Sequence, residues 1–317
     1  MLIENNSKSI RRITCPTDFS SESDKVVGYA AQLASSFDAE LDVCFYNSNH
    51  WWQSEVSPSE RIERLKKIIS DTVDLRGKDR NELVWSASLI EAHSDPAKTI
   101  NNFAAMNNSD LIVINSTYRS FPSTSISTVV KQIVRAARCP VLLYPERYFE
   151  SQERFSAKND FKQIVIECDF SRESESLLKY GASIAKKLKS QLHLVSVLAP
   201  GEASAPELCE TSASRKAVKN ATCEKLWKML PKGLDGECKV IAGKKAESPS
   251  REIFEYADTI GADLVCTTAT IPKLLFESFY PTAVERMVKY ASCPVLILNK
   301  TTVKPESRQK KTVTLSV

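Results

Sequence analysis

Two stretches of this chain repeat one another. Asp110-Leu-Ile-Val-Ile-Asn115 runs through a Ser/Thr-rich loop to Ala137-Arg-Cys139-Pro140-Val-Leu-Leu-Tyr144. Asp263-Leu-Val-Cys-Thr-Thr268 runs through a second loop to Ala291-Ser-Cys293-Pro294-Val-Leu-Ile-Leu298. Each copy reads as strand, loop, helix, strand. Outside them the correspondence continues: Asp18 and Asp169, Pro96 and Pro249, and Cys139 and Cys293 lie 151, 153 and 154 residues apart. So small a drift over a whole domain means duplication. The 317 residues therefore divide into two domains, 1–145 and 162–299, with a charged linker at 146–161 and a basic tail at 300–317.

Within the first half, residues 10–17 read as a strand followed by Asp18-Phe19-Ser20. Ser20 is a helix N-cap and Glu22 suits the positive end of that helix. Its apolar face is Val26, Ala30, Leu33, Ala34 and Phe37. A strand over 40–46 and a polar loop bearing Trp51 and Trp52 precede Ser57-Pro58-Ser59-Glu60, a capping box with proline at the first helical position. Residues 83–90 alternate as a strand does. Asp95-Pro96 opens a helix, and 111–114 is the next strand. The second half repeats the order. Strands are expected at 164–168, 191–198 and 238–242, a helix at 213–230, and another opened by Ser248-Pro249. Alternating β and α elements predict parallel sheets, doubly wound with helices on both faces, and strands apolar on both sides.

With 42% hydrophobic and 26% charged residues, the composition is that of a globular protein. The tail carries Lys300, Lys304, Arg308, Lys310 and Lys311 against Glu306, which accounts for the whole formal charge of +4. A near-neutral folded part argues against a nucleic-acid groove. The nine cysteines show no CxxC or other metal-ligand spacing, and Cys44 and Cys266 sit in strand patterns. They read as small buried hydrophobes in a reducing compartment. No stretch has the apolar length of a signal peptide or membrane span, so the expected location is the cytoplasm. His50, His93 and His193 stand in no catalytic or metal constellation, and His193, in mid-strand, reads as structural. Walker A and GxGxxG motifs are absent from the sequence.

The conjunction of Pro16-Thr17-Asp18-Phe19-Ser20, Ser109-Asp110-Leu111-Ile112-Val113 and Cys139-Pro140-Val141-Leu142 is specific. The second half answers with Asp169-Phe170-Ser171, Gly261-Ala262-Asp263-Leu264-Val265 and Cys293-Pro294-Val295-Leu296. The chain resembles the universal stress protein family in a tandem two-domain form, over nearly all of 10–145 and 162–299. The resemblance implies two doubly wound five-stranded parallel sheets, each an adenine nucleotide alpha hydrolase-like sandwich. It also implies that the last strand of each half, Val141–Tyr144 and Val295–Leu298, pairs with its counterpart to form a pseudo-dimer within one chain. Further homodimerisation and other protein partners stay open.

Family members that bind ATP carry Gly-x-x-Gly, nine residues, then Gly-Ser/Thr. Glycines let the backbone close on phosphates as a nest, and the hydroxyl and the helix N-terminus behind it donate to the anion. Here the glycine positions fall on Asn115, Tyr118 and Ser127, with Thr128 retained and the loop one residue short. Asn115 tolerates positive φ; Tyr118 does not, and its ring would compete with a phosphate. A non-standard anion site and a plain solvent loop are both readings of this segment. In the second half the positions fall on Thr268, Ile271 and Pro281, with Thr282 retained. Pro281 has no N–H to donate, and Pro-Thr before the aspartate has become Glu167-Cys168.

By resemblance, then, ATP or AMP would sit in the first half on Pro16, Thr17, Asp18, Tyr46, Asn115, Ser127 and Thr128. Asp169, Thr268 and Thr282 mark the disfavoured second position. Asp18 also has a bland reading as a helix cap. The expected function is a non-catalytic stress-response binding module. The rivals are a weak nucleotide hydrolase and a scaffold that binds proteins through the apolar 271–281 loop.

Overall fold

Alternate residues of the central strands enter two different cores, because successive side chains on a strand point to opposite faces. Residues 9–46, 57–74, 83–90, 95–118, 128–150, 161–198, 212–230, 234, 236–242, 249–269 and 289–299 are described by the structure, a computed structural model. The first half contains β1 (Arg12–Thr17), α1 (Ser21–Phe37), β2 (Glu40–Tyr46), α2 (Pro58–Asp74), β3 (Trp85–Ile90), α3 (Pro96–Met106), β4 (Leu111–Asn115), α4 (Thr128–Ala136) and β5 (Val141–Tyr144). A short helix α5 (Glu146–Glu150) follows. The second half contains β6 (Gln163–Glu167), α6 (Arg172–Leu188), β7 (Gln191–Leu198), α7 (Ser212–Met229), β8 (Gly236–Ala242), α8 (Pro249–Ile260), β9 (Leu264–Thr268) and β10 (Val295–Leu298).

The strands form one sheet in the order β3-β2-β1-β4-β5-β10-β9-β6-β7-β8. Each half contributes five parallel strands, and the halves meet where β10 runs antiparallel to β5, with Val295 opposite Leu143, Leu296 opposite Leu142 and Ile297 opposite Val141. This is the pairing implied by the resemblance. One face buries Ile13, Val43, Leu142, Ile166 and Leu296 against α1, α2, α6 and α7. The other buries Ile112, Ile114, Val141, Val265 and Val295 against α3, α4 and α8. Both cores run unbroken through both halves. Asn299, just past β10, donates from Nδ2 to Val134 O (2.6 Å) and Ala137 O (3.0 Å), closing the C-terminal end of α4 in the other half.

Local signals hold where the chemistry is local. Ser57 N donates to Glu60 Oε2 at 2.7 Å and Glu60 N to Ser57 Oγ at 3.3 Å, the reciprocal capping box. Asp95 accepts from Ala97 N and Lys98 N ahead of Pro96. Ser248 lies outside the described residues.

Several expectations are corrected. β3 is an edge strand and only partly buried; Val84 beside it is 63% exposed and Leu89 43%. β8 begins at Gly236, two residues early. A Cβ there would stand 2.2 Å from Leu192 O, so a glycine is what lets β8 lie this close to β7. Residues 146–150 of the unpatterned linker are helical, since Tyr148 and Phe149 pack on Tyr29 and Tyr144. Cys223 of α7 and Cys238 of β8 are joined in a disulfide. That corrects the reading of all cysteines as free; helix and strand meet in space although the sequence spacing signals nothing. Cys15, Cys44, Cys139, Cys168, Cys266 and Cys293 are free and buried, as expected.

Candidate functional site

In an open doubly wound sheet, ligands bind beyond the carboxyl ends of the strands where the strand order reverses. Here β1 and β4 are neighbours, as are β6 and β9. The two crossover points therefore lie beyond Thr17 and Asn115 in the first half, and beyond Glu167 and Thr268 in the second.

The Asp-Phe-Ser segment makes the same turn at both, but the serine three residues further on is used differently: Ser23 Oγ donates to the Asp18 carboxylate, while Ser174 Oγ accepts from Asp169 N. Asp18 Oδ1 accepts from Ser20 N (3.1 Å), Ser20 Oγ (2.7 Å) and Ser23 Oγ (2.6 Å). Ser20 Oγ in turn accepts from Ser23 N, capping α1. Asp169 Oδ1 accepts from Ser171 N (2.9 Å) and Ser171 Oγ (2.6 Å), and Ser171 Oγ accepts from Ser174 N. Phe19 and Phe170 both take φ of 60°, the left-handed turn that swings the chain from strand to helix. The aspartate thus serves the strand-to-helix turn in both halves, and in the first half its carboxylate is held at the crossover point.

Thr17 is fully buried, and its Oγ1 accepts from Phe19 N at 3.0 Å. Pro16 lies within β1, and Tyr46 is the last residue of β2, in register with Ile90. Asn115 is buried at the end of β4; its Nδ2 donates to Thr117 Oγ1 at 3.3 Å, while its Oδ1 has no partner among the described residues. Thr128 is exposed as the first residue of α4, and Ser127 lies outside the described residues. The structure therefore places Pro16, Thr17, Asp18 and Asn115 at the ends of the two crossover strands.

Neither Asn115 nor Tyr118 has positive φ. Tyr118 N donates to Asn115 O at 3.4 Å in a turn without positive φ, and the Tyr118 ring, with no exposure, lies in the core on the α3, α4 and α8 face of the sheet. That corrects the expectation of a ring competing for phosphate space: burial of the aromatic surface decides its direction.

Sequence reasoning placed the helix α2 but missed that two of its arginines reach the Asp-Phe-Ser turn. Arg64 Nη2 donates to Phe19 O at 3.1 Å and pairs with Asp24, and the Arg61 and Arg64 guanidinium groups lie 5.5 and 5.8 Å from the Phe19 ring centroid. Their i, i+3 spacing puts them on one helix face, but nothing local says that the face overlies the Asp-Phe-Ser turn.

The second crossover point has different chemistry. Glu167 stands where the first half has Pro16, and the Thr267 hydroxyl donates to its carboxyl. Burial pushes the Glu167 carboxyl up to about 7, Asp169 adds to the rise, and the Thr267 hydrogen bond opposes it. Burial also pushes the Cys168 thiol up to about 12, so it is protonated and unreactive at neutral pH. Thr268 is buried; Ile271, Pro281, Thr282 and the whole 271–281 loop lie outside the described residues.

A raised carboxyl binds its proton more tightly in the folded chain than in the unfolded one. Its contribution favours folding at low pH and is lost as pH rises from about 4.5 through about 7. Glu167→Gln is expected to match the parent near pH 4 and to exceed it above pH 7. The gain is about 1–2 kcal/mol once solvent screening of a partly exposed residue is allowed for. Urea unfolding at pH 4.5 and pH 8 checks this; equal gains at both would contradict it.

His193 is structural, as read: it is buried, with Nδ1 3.0 Å from Tyr256 Oη and Nε2 2.7 Å from Gln163 Oε1, while His50 and His93 lie outside the described residues. No group of three His, Cys, Asp or Glu residues is arranged for a metal ion among the described residues, and no described helix is long and apolar enough to cross a membrane.

Two equivalent halves joined edge to edge, each with its own crossover point, define a duplicated doubly wound α/β protein. The model of the universal stress protein family matches residues 9–145 and 160–299, and the chain belongs to that family in tandem form. A universal stress protein of Methanocaldococcus jannaschii is 26% identical over 154 residues, spanning 45% of this chain and 86% of that protein. The structure of a universal stress protein from Archaeoglobus fulgidus DSM 4304 covers 92% of this chain and 99% of its own, at 16% identity and a TM-score of 0.63. A putative universal stress protein from Pseudomonas aeruginosa UCBPP-PA14 covers 92% and 94%, at 17% identity and a TM-score of 0.58. At such identities the two structures speak for the fold alone.

Proposed function

We propose that this tandem universal stress protein is a non-catalytic regulatory binding module that takes one adenine nucleotide, ATP or AMP, in its first half and none in its second. The reading places it in the cytoplasm, with domains over 1–145 and 162–299. The observation that carries it is the divergence of the two crossover points. The first offers Thr17, Asp18 and a buried Asn115 whose amide oxygen has no donor among the described residues. Such an acceptor gains from a ligand N–H or O–H, since a buried unsatisfied oxygen carries a desolvation penalty. The second offers Glu167, whose ionised form would repel a phosphate.

A binding role is favoured over hydrolysis because Asp18 Oδ1 already accepts from three donors. A carboxylate so engaged is fixed in place, which suits holding a ligand.

The matched pair Asp18→Ala and Asp169→Ala tests the proposal. Each variant removes the turn bonds from the N–H and Oγ of the following serine, Ser20 or Ser171, so most of the structural loss is common to both; Asp18→Ala also loses the bond from Ser23 Oγ. Titration of the full chain with ATP and with AMP is expected to show affinity at least about tenfold weaker in Asp18→Ala only, the effect of losing a hydrogen bond to a charged group. Equal affinities in the two variants would refute the assignment to the first half.

A further inference from the structure

We propose that Cys223 and Cys238 form a reversible thiol–disulfide exchange site that fastens α7 to the outer edge of the sheet. The pair is singled out by access. The free cysteines among the described residues are all buried, and burial raises the thiols of Cys15, Cys44, Cys168 and Cys266. Such thiols are poor nucleophiles and poor targets. Cys223 and Cys238 are only partly buried, on a helix and on the last strand of the sheet.

The fastening matters because α7 packs on the core mainly through its C-terminal end, where Leu226 is buried and Trp227, Met229 and Leu230 lie against the core. Its residues follow no strong apolar stripe. Leu226 is buried, but Val218, Trp227 and Met229 are only partly covered, and Ala221 is exposed. On the strand side, Val240 is buried while Glu237 and Lys239 face solvent. A cross-link is worth most where packing is thinnest, because it restricts the open states of the segment.

The chemistry balances with a dithiol reductant, small or protein-borne. Its thiolate attacks one sulfur of the Cys223–Cys238 bond and forms a mixed disulfide while the other sulfur leaves as a thiolate. The second thiol of the reductant then displaces the remaining cysteine. Two electrons and two protons pass to the chain, and the reductant leaves as a disulfide. Oxidation by a disulfide of the same class reverses the sequence.

The test uses the full chain purified without reductant, then treated with dithiothreitol under native conditions. Alkylation followed by peptide mass analysis is expected to label Cys223 and Cys238 only after reduction, with Cys15, Cys44, Cys168 and Cys266 unlabelled in both states. Hydrogen exchange is expected to speed in α7 by on the order of tenfold or more on reduction, to leave β1, β4 and β5 unchanged, and to slow again on reoxidation. Cys223→Ser and Cys238→Ser should each match the reduced parent. Labelling of Cys223 and Cys238 before reduction would overturn the proposal. So would α7 exchange that is indifferent to reduction, or reduction that exposes the buried thiols together with the pair.

Discussion

Leu296→Asp is expected to lower stability by about 3–5 kcal/mol, a large part of the total for a protein of ordinary stability. Leu296 is 1% exposed and stands opposite Leu142, also 1% exposed, where β10 pairs with β5. Its neighbours on that face are apolar: Leu142, Tyr144, Ile166, Cys266 and Leu298 lie in the same core. A carboxylate placed there loses water and gains no cation. The milder Leu296→Ala leaves a cavity and is expected to cost about 2–4 kcal/mol. Since that core runs through both halves, hydrogen exchange should speed in β4 and β1 as well as in β9 and β6. Urea midpoints and exchange maps check both statements. Exchange rising in the second half alone would show that the halves fold independently and that the shared sheet is incidental.

Asn299→Ala is expected to cost about 2–3 kcal/mol. The last carbonyls of a helix have no partner within the helix. Asn299 supplies one for Val134 O and another for Ala137 O from a position that is 6% exposed. Removing the amide leaves two buried oxygens without this donor, at about 1–1.5 kcal/mol each. Because α4 starts at Thr128, a residue the resemblance assigns to the nucleotide, its loosening should also weaken nucleotide binding. Thermal unfolding and exchange at α4 give the readouts. A variant as stable as the parent, with α4 equally protected, would mean that water replaces the amide without loss.

The sequence repeat proved to be a repeat of joints. Asp110 and Asp263, the first residues of the two motifs, accept from backbone N–H groups at the start of the neighbouring strand: Arg11 and Arg12 for Asp110, Lys162 and Gln163 for Asp263. Pro140 O and Pro294 O accept from Ile112 N and Val265 N. The residues that carry the resemblance thus hold strands in register, which is why the fold was legible. They say little about the ligand, because the same Asp-Phe-Ser turn is built at both crossover points.

What sequence patterns could not show is contact between distant segments. Tyr118 looked like a loop residue; its ring joins the core on the α3, α4 and α8 face, which exists only once the sheet is wound. The Cys223–Cys238 bond, the Arg61 and Arg64 groups above Phe19, and Asn299 on α4 are all products of tertiary packing. Gly236 failed for a different reason. Strand propensity penalises glycine, yet the close approach of β8 to Leu192 requires it.

The most direct measurement is native mass spectrometry of freshly purified full-length chain, followed by denaturation and identification of any released small molecule, with ATP added if none is retained. One adenine nucleotide per chain, present in the parent and in Asp169→Ala but lost in Asp18→Ala, is the predicted result. Two nucleotides per chain, or none even with ATP added, would contradict a single site at the first crossover point.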